Sequence, residues 1–153
     1  MANRSAGIIA YRRSAGRLEV LLVHPGGPFW KKKDEGAWSI PKGEPERDEE
    51  LLAAAMREFR EEIGLEPKAD LIQLGTVQQK GGKTVHAWAF ELEPNATISR
   101  TSNSFELEWP PRSGKVQSFP EIDRAEFFTI DEAQIRINES QRIFLERLRA
   151  SIA

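Results

Sequence analysis

The chain has 153 residues, 39% of them hydrophobic and 30% charged, with no cysteine and a formal net charge of −2. That length suits one domain spanning residues 1–153, and the composition excludes a disordered chain, a disulfide framework and a zinc–thiolate site. The charge argues against a partner held by phosphate neutralisation, so nucleic acid is not the expected partner, and no apolar run approaches the length of a bilayer span.

Residues 6–11 and 18–23 are apolar runs of strand-forming residues, and Ser14-Ala15-Gly16 between them supplies a turn, so the two read as a hairpin. Pro25-Gly26-Gly27-Pro28 breaks the pattern, and a loop carries Phe29, Trp30 and the lysines Lys31, Lys32 and Lys33 as far as Gly36. Residues 37–40 form a short strand stopped by Pro41. The clearest helix covers 46–65, with Asp48 as its cap and Gly64 as its stop. Leu52, Ala55, Met56, Phe59 and Ile63 fall on one stripe of that helix, which should face a core.

Residues 71–78 and 84–92 read as strands joined by Lys80-Gly81-Gly82-Lys83. Residues 96–120 read as an irregular long loop with short strands, 125–130 as a strand, and 139–152 as a helix with Ile143, Phe144, Leu145 and Leu148 inward. Strands and helices mixed in this order indicate an α/β domain. Residues 1–5 lack the apolar core of a signal peptide, and with no cysteine the expected location is the cytoplasm.

Charge is placed unevenly. Arg12, Arg13, Lys31, Lys32, Lys33 and Lys42 lie in the first third, and Glu44, Glu46, Glu49, Glu50, Glu58, Glu61 and Glu62 follow directly. Basic and acidic segments side by side suit a metal-bound polyphosphate, although blocks of charge are commonly only solvated surface. Glu58, Glu61 and Glu62 are spaced i, i+3, i+4 and share one helical face, about 120° from the apolar stripe. Three neighbouring carboxylates repel one another unless a cation sits among them, and Mg²⁺ takes carboxylate, water and phosphate oxygens.

From Gly43 to Leu65 the sequence is GEPERDEELLAAAMREFREEIGL. Gly43 is followed after five residues by Glu49, after seven more by Arg57-Glu58, then by Phe59, Arg60, Glu61-Glu62, Ile63, Gly64 and Leu65. This resembles the Nudix box in full, at every fixed identity and both apolar positions. The resemblance implies an α/β/α sandwich with a mixed sheet and a loop–helix–loop. It also implies a Mg²⁺-dependent pyrophosphohydrolase, with Mn²⁺ as a substitute, acting on a nucleoside diphosphate linked to another group. Glu58, Glu61 and Glu62 match the family's metal-binding glutamates, with Glu58 matching either a ligand or a residue that orients the base. Gly43 matches the glycine whose backbone approaches the metal. Glu49 and Arg57 match the salt bridge that braces the loop and helix. Some relatives use a glutamate outside the box as the base, and here Glu121 is the foremost candidate, ahead of Glu106 and Glu108.

Trp38-Ser39-Ile40-Pro41-Lys42-Gly43 resembles the W-x-x-P-K-G lead-in of relatives that hydrolyse dinucleoside polyphosphates. It also resembles that of relatives acting on nucleoside triphosphates or inositol polyphosphates. Lys42 is a candidate phosphate contact, Arg12 and Lys32 are further basic candidates for substrate binding, and Trp30, beside Phe29, is a candidate for stacking on a nucleobase. A dinucleoside polyphosphate such as diadenosine tetraphosphate is the preferred substrate class, although the only tyrosine is Tyr11 and the tyrosine such relatives often carry beyond the box is missing. Nucleoside triphosphates are the alternative, followed by RNA 5′ ends and a non-catalytic ligand-sensing domain. The expected assembly is a monomer or homodimer.

Overall fold

A computed structural model describes residues 3–68, 70–99 and 103–152. The central strands are β1 (Arg4–Ser14) and β2 (Arg17–Pro25), joined by a turn in which Ala15 and Gly16 both take positive φ. Beyond them come β3 (Lys42–Gly43), α1 (Leu51–Ile63), β4 (Ile72–Gln78), β5 (Thr84–Glu91), β6 (Ser104–Glu108), β7 (Val116–Pro120) and β8 (Ile122–Thr129). The chain closes with α2 (Ile130–Arg136), a 3-10 turn at Glu139–Gln141 and α3 (Arg142–Ile152).

The main sheet runs β4-β5-β1-β2-β8, with β3 added against β1. β1 is antiparallel to β2 and parallel to β5, so the sheet is mixed. Both faces of the sheet are covered, which is why β1 reads as an unbroken apolar run rather than an alternating one. Ile8, Ala10, Leu21 and Val23 pack against Ala54, Ala55, Phe59 and Ile63 of α1. Ile9, Tyr11, Val20 and Leu22 pack against Ile130, Ala133, Phe144, Leu145 and Leu148 of α2 and α3. The result is the expected α/β/α sandwich.

Several sequence-based expectations are corrected. The box helix starts at Leu51, not at residue 46, and Asp48 does not cap it but takes a left-handed φ of 64°. The reason lies in Glu49, whose carboxylate is spent on the Glu46 backbone N–H and on Arg57, closing a separate turn before the helix. Ala54 is buried while Leu52 is 37% exposed, so α1 is rolled toward its glutamate edge. Residues 37–40 make only isolated bridges, Val23 with Ser39 and Trp38 with Ile137. The expected strand 125–130 gives way at Ile130 to a helix, whereas the short strands expected within 96–120 are present as the two-stranded hairpin β6–β7. In α3, Ile143 is exposed.

Candidate active site

The box is placed by β3. Lys42 pairs with Gly7 and Gly43 with Ala6 of β1, which sets the lead-in segment between β1 and β2, next to α1. Gly7 permits this approach, since a Cβ there would stand 2.6 Å from the Pro41 carbonyl oxygen and 2.7 Å from Lys42 Cβ. The lead-in is fixed from the other side as well. Val23 and Ser39 exchange backbone hydrogen bonds of 2.8 and 2.9 Å, and the buried Gln141 side chain accepts from the Ile40 N–H at 3.0 Å while donating to Ser39 Oγ at 3.1 Å.

Arg57 organises the loop before α1. Its Nε and Nη2 each donate to Glu49 at 2.9 Å, a fork-to-fork pair, and Nη2 also donates to the Glu44 carbonyl at 3.2 Å. Its Nη1 donates to Glu58 at 2.9 Å and reaches Glu61 at 3.5 Å. The guanidinium holds the Glu49 carboxyl down at about 2, well below its ordinary 4.5. One arginine therefore ties the loop to the helix and sets the position of Glu58.

Glu62 lies inside. It falls only about 20° from Ala55 on the helical wheel, so the roll of α1 turns it toward the sheet, where it is 8% exposed. Its Oε2 is buried without a hydrogen-bond partner among the described residues. Burial pushes its carboxyl up to about 9, with Glu58, Glu121 and Glu61 raising it further and Lys42 opposing them. Burial also raises Glu58, against the pull of Arg57. Lys42 is shifted down, first by burial and then by Lys83, with Glu62 among the carboxylates that resist. Glu62, Glu121, Lys42, Ser39 and Pro25 line one cavity of about 230 Å³. The Glu121 backbone is held there by the Gly26 N–H, which donates to its carbonyl at 2.9 Å.

Three observations suit a divalent cation at this place. A buried carboxylate oxygen lacks a partner, the donors are hard carboxylate oxygens, and Gly43 leaves room that a side chain would close. A Cβ at Gly43 would sit 2.2 Å from the Glu58 carboxyl carbon. Among the described residues, no three such side chains yet converge on a single point, since Glu58 and Glu61 are turned toward Arg57.

Other candidates are distributed unequally. Trp30 and Lys42 line a neighbouring cleft of about 620 Å³ together with Gln79, Asn138, Ser140 and Arg142. Lys32 lies on the far side of the same loop, in a different cleft. Arg12 is not brought to the site. It pairs with Glu19 across the β1–β2 hairpin at 2.8 Å and stacks on Phe127, five residues or about 16 Å along β1 from Gly7. Glu106 is exposed on the outer hairpin, and Glu108 accepts from the Gly114 N–H.

Sequence reasoning missed Ser39, Gln79, Asn138, Ser140, Gln141 and Arg142. A signal did exist for the helix that precedes four of them. Thr129 and Glu132 have the T-x-x-E spacing of a capped helix start, and Thr129 Oγ1 accepts from the Glu132 N–H at 3.3 Å.

The NUDIX domain family model matches residues 1–148. The chain belongs to the Nudix hydrolase family. This Nudix chain is 37% identical over 68 residues to the RNA pyrophosphohydrolase of Hahella chejuensis (strain KCTC 2396), covering 43% of the chain and 40% of that protein. It is 34% identical over 65 residues to the asymmetrical bis(5′-nucleosyl)-tetraphosphatase of Caenorhabditis elegans, covering 42% of the chain and 43% of that protein. The matches thus span less than half the length of these relatives. The solved binary complex of a C. elegans Ap4A hydrolase superposes with a TM-score of 0.70 at 21% identity, covering 99% of this chain and 98% of that one. At that identity the likeness establishes the Nudix fold alone.

Proposed function

We propose that this Nudix chain is a pyrophosphohydrolase that cleaves a dinucleoside polyphosphate, at the cavity lined by Glu62, Glu121 and Lys42. The observation that carries the reading is the buried, unpartnered Glu62 carboxylate facing a lysine between two open clefts. Glu58, Glu61 and Glu62, with the Gly43 backbone, would hold the divalent metal, Mg²⁺ or in its place Mn²⁺. When bound, that ion neutralises phosphate charge and polarises the phosphorus–oxygen bonds toward attack.

The remaining work falls to the chain. Arg57 fixes Glu58 and the loop. Lys42 offers a cation to a phosphate at the mouth shared by the cavity and the larger cleft. Glu121, which lines the same cavity as Lys42 and Glu62, would take the proton of an attacking water. Trp30, 39% exposed at the rim of the Lys42 cleft, offers a face to a nucleobase. No helix of the described residues is long and apolar enough to cross a membrane.

A phosphate-release screen with Mg²⁺, over dinucleoside polyphosphates, nucleoside triphosphates, nucleotide sugars and ADP-ribose, tests the reading. Diadenosine tetraphosphate should be turned over at least tenfold faster than the others, with products identified by chromatography. A nucleoside triphosphate preferred by that margin would overturn the substrate assignment.

A second reading, pyrophosphate removal from RNA 5′ ends, is favoured by the likeness to the Hahella enzyme and by the exposed Lys31-Lys32-Lys33 run. The net charge of −2 counts against it. Its test is the salt dependence of binding to a 5′-triphosphorylated oligonucleotide.

A further inference from the structure

The loop from Gly26 to Lys33 has two working sides. Trp30 faces the cleft that contains Lys42. Phe29 and Lys31 to Lys33 face a second cleft of about 740 Å³, whose opposite wall is the β6–β7 hairpin through Trp109, Gln117 and Phe119. Neither the box nor its lead-in contributes to this second cleft.

The cleft is built rather than incidental. Gly26 lies so close to the hairpin's last residue that a Cβ would stand 2.0 Å from the Pro120 carbonyl oxygen, and at Gly27, where φ is +96°, a Cβ would stand 2.9 Å from the Phe105 ring. Only glycine lets the loop seat here. The far end of the loop is anchored by His24, which is fully buried. Its Nε2 donates to the Lys33 carbonyl at 2.6 Å, and its Nδ1 meets Asp123 of β8 at 2.7 Å. Across the mouth, Phe29 and Trp109 meet edge to face with centroids 5.3 Å apart, yet Phe29 stays 59% exposed.

The chemistry of the walls selects the occupant. Flat aromatic rings with an amide beside them suit a base, and three consecutive lysines suit the phosphates attached to it. Asp123, the one carboxylate lining the cleft, is engaged by His24. The position matters as much. Pro120 lines this cleft while the next residue, Glu121, lines the carboxylate cavity, and Pro25 lines both that cavity and the Lys42 cleft. The carboxylates therefore lie between two clefts, each equipped with an aromatic residue and a cation.

We propose that the cleft between the Gly26–Lys33 loop and the β6–β7 hairpin is a second nucleoside subsite, which holds the distal base and ribose of a substrate whose phosphates lie over Glu62. This deepens the proposed function and rests on it. It explains why one loop displays aromatic residues on both sides, and it makes the hairpin a specificity element for substrates with two aromatic ends.

Steady-state kinetics on a matched pair of ligands test it: diadenosine tetraphosphate, with two nucleosides, and adenosine 5′-tetraphosphate, with one. Phe29→Ala and Trp109→Ala should each raise KM for the two-ended ligand at least tenfold while changing KM for the one-ended ligand less than twofold. Phe29 is largely solvent-exposed, so its variant keeps the test alive if Trp109→Ala fails to fold. Equal changes on both ligands, or no change on either, overturn the subsite while leaving the proposed function standing. A wild-type protein that turns over neither ligand overturns the proposed function, and the subsite with it. Loss of binding to a 5′-triphosphorylated oligonucleotide, with diadenosine tetraphosphate kinetics unchanged, would assign the cleft to RNA and overturn the inference.

Discussion

Arg57 takes both carboxylate oxygens of Glu49, eight residues earlier, at 2.9 Å each, and with its remaining terminal nitrogen grips Glu58. A single planar fork thus connects the loop, the helix and a candidate metal ligand. Lysine offers one point charge and cannot make both contacts. Arg57→Lys should lower kcat by an order of magnitude or more. Its fold, followed by circular dichroism, should persist. Unchanged kcat would show that the brace is structural only.

The same pair carries a pH dependence. Glu49 is held at about 2 in the folded chain against an ordinary 4.5. Its folded value is depressed, so the stabilisation is present above 4.5 and is lost as pH falls through about 2. Glu49→Gln should shallow the acid limb of a thermal-stability profile across that window. An identical limb in the variant would remove the pair from the account.

Glu62 has the opposite sign. Its folded value, about 9, lies above the ordinary 4.5, so the folded state binds the proton more tightly. Without metal, this contribution is complete below 4.5 and declines as pH rises through about 9. Metal-free Glu62→Gln should therefore gain stability relative to wild type as the pH is raised across that span. Parallel profiles would mean that Glu62 is not desolvated.

Gly43 is required by space, since a Cβ there would stand 2.2 Å from Glu58. Gly43→Ala must displace that carboxylate or the β3–β1 pairing. Mn²⁺ affinity, measured by calorimetry, should fall at least tenfold. An unaltered affinity would detach Gly43 and Glu58 from the metal.

Gln141 anchors the lead-in from a distance. Removing its amide leaves the Ile40 N–H buried without an acceptor, a loss of about 1–3 kcal/mol. Gln141→Ala should lower the melting temperature by several degrees for a chain of this size. No loss of stability would show that Ile40 finds another partner.

The sequence was most legible where chemistry is local. The hairpins β1–β2 and β4–β5 follow from turn residues and apolar runs, and the shared helical face of Glu58, Glu61 and Glu62 follows from their spacing. Arg12 shows the limit of that reading. Its charge suggested substrate, but strand pairing sets it opposite Glu19, at the wrong end of β1. The burial of Glu62 was invisible for a related reason. A helical wheel gives angles within α1 but not the roll of α1 against the sheet, and that roll separates an exposed acidic face from a desolvated carboxylate. The wall formed by Asn138, Ser140 and Arg142 follows short elements with little periodicity, and only tertiary packing brings it to Lys42.

Hydrolysis of diadenosine tetraphosphate by wild type and Glu62→Gln, measured side by side with saturating Mg²⁺, tests the central claim most directly. Wild type should turn over with Mg²⁺ and stop without it, and the variant should fold normally yet lose two orders of magnitude or more in kcat. Wild-type activity in a folded Glu62→Gln protein would contradict the assignment of the chemistry to this cavity.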